Sequence, residues 1–190
     1  MCNKYSHHYA HTTKATTMRD IALITRYIGL ALLAKGYSLT PTKLQKILYY
    51  VQAWFMVYFE KERIFNDEPQ AWVNGPVYPE IYNQYKHLNR SALLTPKDFE
   101  ADDIDEAYNQ VGQELQLTLI PDQLSVIDSV LELYGSKSED ALVFLSHAEA
   151  PWSEAREGYE PFERSTKPIS LDRIYDYYKA RKDRKEQKQA

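Results

Sequence analysis

The sequence predicts a mainly α-helical fold, a compact single-domain helical bundle with one short β element around residues 69–75. Apolar residues recur every three or four positions along most of the chain, the period of helices that bury one face. These stretches open with proline or a capping hydroxyl and several close with glycine, the usual punctuation of helix ends. Only between Asn66 and Tyr78 does the period change. A length of 190 residues falls within the range of one domain, and 44% hydrophobic with 26% charged residues suits a chain that folds by itself.

The first helix begins near Asp20, with Ile21, Ile24, Ile28, Ala31 and Leu32 inward and Gly36 as its C-cap. Thr40-Pro41 starts the second, because the hydroxyl caps free amides while the fixed φ of proline suits a first turn. It runs to about Phe59 as the central core helix, burying Leu44, Ile47, Leu48, Val51, Trp54, Phe55 and Tyr58, with Lys43 and Lys46 off the buried stripe. Ala71-Trp72-Val73 reads as a brief strand ended by an Asn74-Gly75-Pro76 turn. Pro79 and Glu80 open a third helix with Ile81, Tyr82 and Tyr85 on its inner face.

From Asn89 to Ile120, where acidic residues gather at 98 to 106, no period is legible, and a loop or short hairpin is expected. Pro121 and Asp122 start a helix with Leu124, Ile127, Val130, Leu131 and Tyr134 inward, which Gly135 ends. Ser136 and Glu139 have capping-box spacing ahead of a helix over Ala141 to His147. Pro151-Trp152 begins a short helical turn ending at Gly158, and Ser170 caps a last helix with Leu171, Ile174, Tyr175 and Tyr178 on one face. Residues 1–17 read as a flexible leader, 18–180 as the helical domain and 181–190 as a charged tail.

Composition excludes several classes of protein. The single cysteine, Cys2, builds neither a disulfide framework nor a Cys-based zinc site, which suits a cytoplasmic protein. No apolar run reaches the roughly 18 residues of a membrane span. A net charge of −4 and a pI near 5.8 argue against a nucleic-acid partner, whose binders gather Lys and Arg on one face. The same −4 is too small to decide whether a protein partner is basic. Tyrosine is over-used, 16 against 6 phenylalanines, and Tyr is favoured at half-buried positions and interfaces.

Chemistry-bearing motifs are sparse. His7, His8 and His11 include an i, i+4 pair, but no third ligand or helix signal goes with it, so no metal and no other cofactor is expected. Neither a glycine-rich phosphate loop nor a G-x-S-x-G elbow occurs, and the chain reads as a binding protein rather than an enzyme. His147 with Glu149 is the pair a small hydrolase would use, against the plainer reading of a helix-end histidine bonding backbone. The basic run Lys179, Arg181, Lys182, Arg184, Lys185 and Lys188 is interrupted by Asp183 and Glu186 and reads as a solvated, frayed helix end. The segment Trp72 to Tyr85 is the most distinctive: strand, rigid turn and proline-started helix bring Trp72, Tyr78 and Tyr82 together as a candidate partner-binding patch.

The run Leu39-Thr-Pro-Thr-Lys-Leu-Gln-Lys-Ile-Leu-Tyr-Tyr-Val-Gln-Ala-Trp54, followed by Ala71-Trp-Val-Asn-Gly-Pro-Val-Tyr-Pro-Glu-Ile-Tyr82, resembles the SocA-like family with its Panacea domain. Leu145-Ser-His-Ala-Glu-Ala-Pro-Trp152 with Ala155-Arg-Glu-Gly158 resembles the family's third signature, so the resemblance covers about residues 19 to 178. It implies an antitoxin of a bacterial or prophage toxin–antitoxin system that neutralises a toxin encoded by an adjacent gene, by direct binding. An alternative within the family is an adaptor that delivers the toxin to the ClpXP protease. On this basis Trp72, Asn74, Tyr78, Glu80, Tyr82, Lys43 and Tyr49 are the expected toxin contacts, with helix two as supporting core.

Overall fold

The computed structural model describes residues 19–89 and 91–188. The leader expected over 1–17, with its cysteine and histidine cluster, lies outside the described residues, as do the last two residues of the charged tail. The described fold is mainly α: α1 (Ile21–Ala34), α2 (Pro41–Tyr58), α3 (Pro79–Tyr85), α4 (Ile104–Gln116), α5 (Pro121–Tyr134), α6 (Glu139–His147), α7 (Ala150–Ala155) and α8 (Leu171–Gln187). Between α2 and α3 lies an antiparallel hairpin, β1 (Gln70–Trp72) with β2 (Gly75–Val77), and a 3-10 turn spans Pro96–Phe99. No described helix is long and apolar enough to cross a membrane.

Helix α2 is the axis of the fold. Thr40 caps it by accepting from the Lys43 amide, and Pro41 occupies its first turn. Around it pack α1, α3, α5, α6, α8 and β2. With neighbours on nearly every side it cannot keep a polar face, and 14 of its 18 residues are buried. Lys43 and Lys46, expected off the stripe, are therefore buried too, Lys46 completely. Conversely Tyr58, expected inward, is 54% exposed where the helix emerges from the bundle, and Trp54 is half-buried.

The buried polar side chains of α2 replace missing secondary structure elsewhere. Gln52 accepts from the Ile64 amide at 3.1 Å and donates to the Phe65 carbonyl at 3.0 Å. Seven residues earlier, two turns along the same face, Gln45 accepts from the Tyr78 amide at 2.7 Å and donates to its carbonyl at 3.4 Å. Each side-chain amide thus pairs with irregular backbone as a strand would, satisfying groups that are costly to bury alone.

Three further elements depart from the sequence reading. The region 89–120, expected as loop or hairpin, contains the 3-10 turn and the 13-residue α4. Asp103 caps α4 through the Glu106 amide, and Ala107, Val111 and Leu115 form a stripe one residue wide, too narrow to stand out among acidic neighbours. α4 packs on α1, where the Tyr27 and Tyr108 rings stack 5.1 Å apart. Phe99 also fills the space over Gly29, where a Cβ would stand 2.2 Å from the ring. α6 is capped by Ser138, which accepts from Ala141, rather than through Ser136, leaving Glu139 to accept from the Thr40 hydroxyl. α8 continues as helix through the basic run to Gln187, supported by the i, i+4 pairs Lys179–Asp183 and Lys182–Glu186, where a frayed end is expected from sequence.

Removing the Gln52 amide leaves one backbone donor and one acceptor buried without partners. Gln52→Ala is expected to destabilise the protein by roughly 2–4 kcal/mol in chemical denaturation. A change under about 0.5 kcal/mol would show that the 64–65 segment does not depend on this pairing.

Candidate functional site

An open groove of about 600 Å³ lies between the hairpin, α3 and the first turns of α2, with residues 164–166 along one edge. Its aromatic wall is Trp72 and Tyr82, in edge contact with ring centroids 4.6 Å apart, and the Trp72 indole N–H is bound to Gln70 at 2.8 Å. Tyr82 is 42% exposed, although its spacing suggests an inner face. Ile81 and Tyr85, four residues apart, take that face of α3 and leave Tyr82 pointing out.

The floor is set by Lys46. Its Nζ donates to the carbonyl of Pro76, in the middle of β2, at 2.9 Å. Burial pushes its amine down to about 7, with the Glu139 carboxylate acting weakly in the opposite direction. Gly75 makes this approach possible: its φ is +96°, and a Cβ there would stand 2.7 Å from Ser146 Oγ and 2.8 Å from Lys46 Cε.

The hairpin is held from behind by α7 and the chain after it. Trp152 donates its indole N–H to the Trp72 carbonyl at 2.9 Å, and the Arg156 guanidinium donates to Ala71 O at 3.1 Å. Arg156 also donates to the carbonyls of Glu160 at 3.0 Å and Glu163 at 2.8 Å, folding that loop toward the groove edge. On the outer side of β1, the Ala71 amide donates to Lys167 O and the Ile169 amide to Pro69 O, so residues 167–169 act as a third strand segment.

A second polar constellation lies deeper. Glu149, 3% exposed, accepts from Tyr178 at 2.7 Å and Tyr49 at 3.2 Å, and Arg181 approaches it at 3.6 Å. Burial pushes its carboxyl up to about 7, while Tyr178, Arg181 and Tyr49 pull the other way. His147 instead stacks on the Trp152 ring at 3.9 Å, and burial, aided by Lys46 and Arg156, lowers its basicity. Among the described residues no hydrogen bond joins the two groups, and His147 Nε2 is buried without a partner. This nitrogen therefore makes neither a bond to Glu149 nor the backbone bond expected of a helix-end histidine.

The expected contact residues divide by burial. Trp72, Asn74 and Tyr82 border the groove, and Glu80 is exposed on α3 beside it. Tyr78 and Tyr49 are fully buried, and Lys43 is 5% exposed with its Nζ on the Ser38 carbonyl, so these three support the surface without forming it. The structure adds Lys86 and Arg164 at the rim and Arg156 behind the hairpin. Arg164 lies in a stretch with no period, and only the packing of 167–169 on β1 brings it here.

The family model described as antitoxin SocA-like, Panacea domain, matches residues 44–153, more than half of the chain, so this chain belongs to that antitoxin family. The matched span runs from α2 through the hairpin to α7, the elements that build the groove and its support. No curated protein and no solved structure matches the chain.

Gly75→Ala combines a left-handed φ with a blocked Cβ, and is expected to cost roughly 2 kcal/mol or more and to displace the Lys46 amine. An unchanged melting temperature would contradict the close packing. Glu149 gives a pH signature: its raised value stabilises the fold fully below about pH 4.5, and this is lost as pH rises through about 7. Measured from pH 4.5 to 7.5, wild type should therefore lose roughly 3 kcal/mol relative to Glu149→Gln, and parallel curves would contradict the burial.

Proposed function

We propose that this chain is an antitoxin that neutralises a protein toxin by binding it directly, with the groove between hairpin and α3 as the contact surface. The observation that carries the reading is the exposed Trp72–Tyr82 wall on a scaffold tied down on every side. Aromatics presented by a rigid frame lose little conformational freedom on binding, which is the usual character of interface hot spots. A stable complex needs about 800 Å² from each partner, so a toxin would also cover surface beyond the groove, which a domain of this size has. No chemistry is required: covering the working face of a toxin is sufficient.

The partner proposed is the product of an adjacent gene, and both proteins would meet in the cytoplasm. Co-expression tests this. The neighbouring reading frame is expected to arrest growth alone, and this protein is expected to restore growth and to co-purify with its product. Tyr82→Arg, at an exposed position, should fold normally yet weaken the complex roughly 30-fold, about 2 kcal/mol, and abolish rescue. Full rescue by that variant would move the contact surface elsewhere. Rescue accompanied by disappearance of the toxin, dependent on ClpXP, would replace inhibition by proteolytic delivery.

A further inference from the structure

We infer that the groove receives an acidic segment of the partner protein, with a carboxylate set between Lys86 and Arg164 and an apolar side chain laid on the Trp72–Tyr82 wall. This rests on the groove being the contact surface. The net charge of −4 does not decide the sign of a partner, and the groove differs from the chain as a whole in having no acidic residue at its border.

None of the residues that border the groove is Asp or Glu, whereas three are basic, Lys86 and Arg164 at the rim and the buried Lys46 at the floor. The chain has 27 acidic residues against 23 basic ones, so a groove of one sign is a local departure from its composition. Of the acidic side chains nearby, Glu80 is exposed on α3 but does not border the groove, and two others are engaged elsewhere. Glu163, next to Arg164, accepts from the Glu160 amide at 3.0 Å, and Glu139, the carboxylate acting on Lys46, accepts from the Thr40 hydroxyl. Among the described residues the rim cations lack counter-charges: Lys86 has the neutral Asn83 amide oxygen at 3.2 Å, and neither Lys86 nor Arg164 makes an ion pair.

Two further features give the groove the same sign. Lys46 is fully buried with one carbonyl partner for its three donors, so an anion above it would favour its charged form. Pro41 and Thr42, in the first turn of the 18-residue α2, lie on the groove, and the positive end of a helix favours negative charge. The walls select what carries the charge. Trp72, Tyr82, Val77 and Leu88 offer apolar surface too wide for a bare anion, and the groove is open enough for a chain to pass through. A peptide segment with Asp or Glu beside Leu, Met or an aromatic residue meets both requirements.

The test measures affinity for the co-purifying product of the adjacent gene at about 50 and 300 mM salt, in wild type, Lys86→Glu/Arg164→Glu and Tyr82→Arg. Both rim positions are exposed, so the double variant should fold, which circular dichroism checks. The double variant is expected to bind at least tenfold more weakly at low salt and to lose most of the salt dependence. Reversing one acidic residue of the partner to Lys should restore binding to it. Unchanged affinity and salt response in the double variant, with binding still broken by Tyr82→Arg, would overturn the acidic segment while keeping the groove. If neither variant changes binding, or no complex forms, the groove reading falls as well. Displacement of the partner from wild type, but not from the double variant, by a short oligonucleotide, with no acidic residue of the partner able to rescue, would assign the site to phosphates instead.

Discussion

Everything in this fold depends on one helix that is enclosed on nearly every side. Six elements enclose α2, and the sequence meets that constraint by placing polar side chains on it that bond to the irregular chain around it. Gln45, Lys46, Tyr49 and Gln52 are all buried, and each bonds to a segment distant in the chain: the hairpin, the α3 entry, the 64–65 turn or the α6–α7 junction. A purely apolar α2 would pack as well but would leave those backbone groups without partners. The helix therefore organises irregular chain around it, which helical periodicity alone does not do.

The groove follows from that arrangement. A two-strand hairpin is marginal by itself, and here β2 sits on Lys46, the β1 carbonyls on Arg156 and Trp152, and the outer edge on residues 167–169. With the backbone held at these points, Trp72 and Tyr82 can stay partly exposed without collapsing onto the core. Rigidity is thus generated in the interior by hydrogen bonds and used at the surface by aromatic rings. The fully buried Tyr78 belongs to the first task and the exposed Tyr82 to the second, although both lie in one short aromatic motif.

How legible this was in the sequence differs between the two tasks. The helices opened by Thr40-Pro41, Pro79 and Pro121 and the presence of a strand and turn are readable, because proline and glycine act locally, although the turn lies at Val73–Asn74 and Gly75-Pro76, read as turn, begin β2. α4 is not, because its three inward positions are diluted by exposed acidic residues that only the partner surface on α1 justifies. Periodicity also misjudges Lys46 and Tyr58: a one-face reading holds for a helix against a single layer and fails for one that is surrounded along most of its length and emerges at its end. At the groove, Trp72, Asn74 and Tyr82 stand within a recognisable motif, whereas Lys86 and Arg164 are ordinary surface cations until tertiary packing brings them to the same opening.

The central claim is that this family member acts through the face built by the hairpin and α3. Hydrogen exchange on the protein, free and in complex with its co-purifying partner, tests it most directly. The account predicts new protection in residues 72–86 and 164–166, with α2 already protected in the free protein and little changed. Protection confined to the surface between α5, α8 and the end of α2, where Tyr58, Leu133 and Lys185 are exposed, would contradict it.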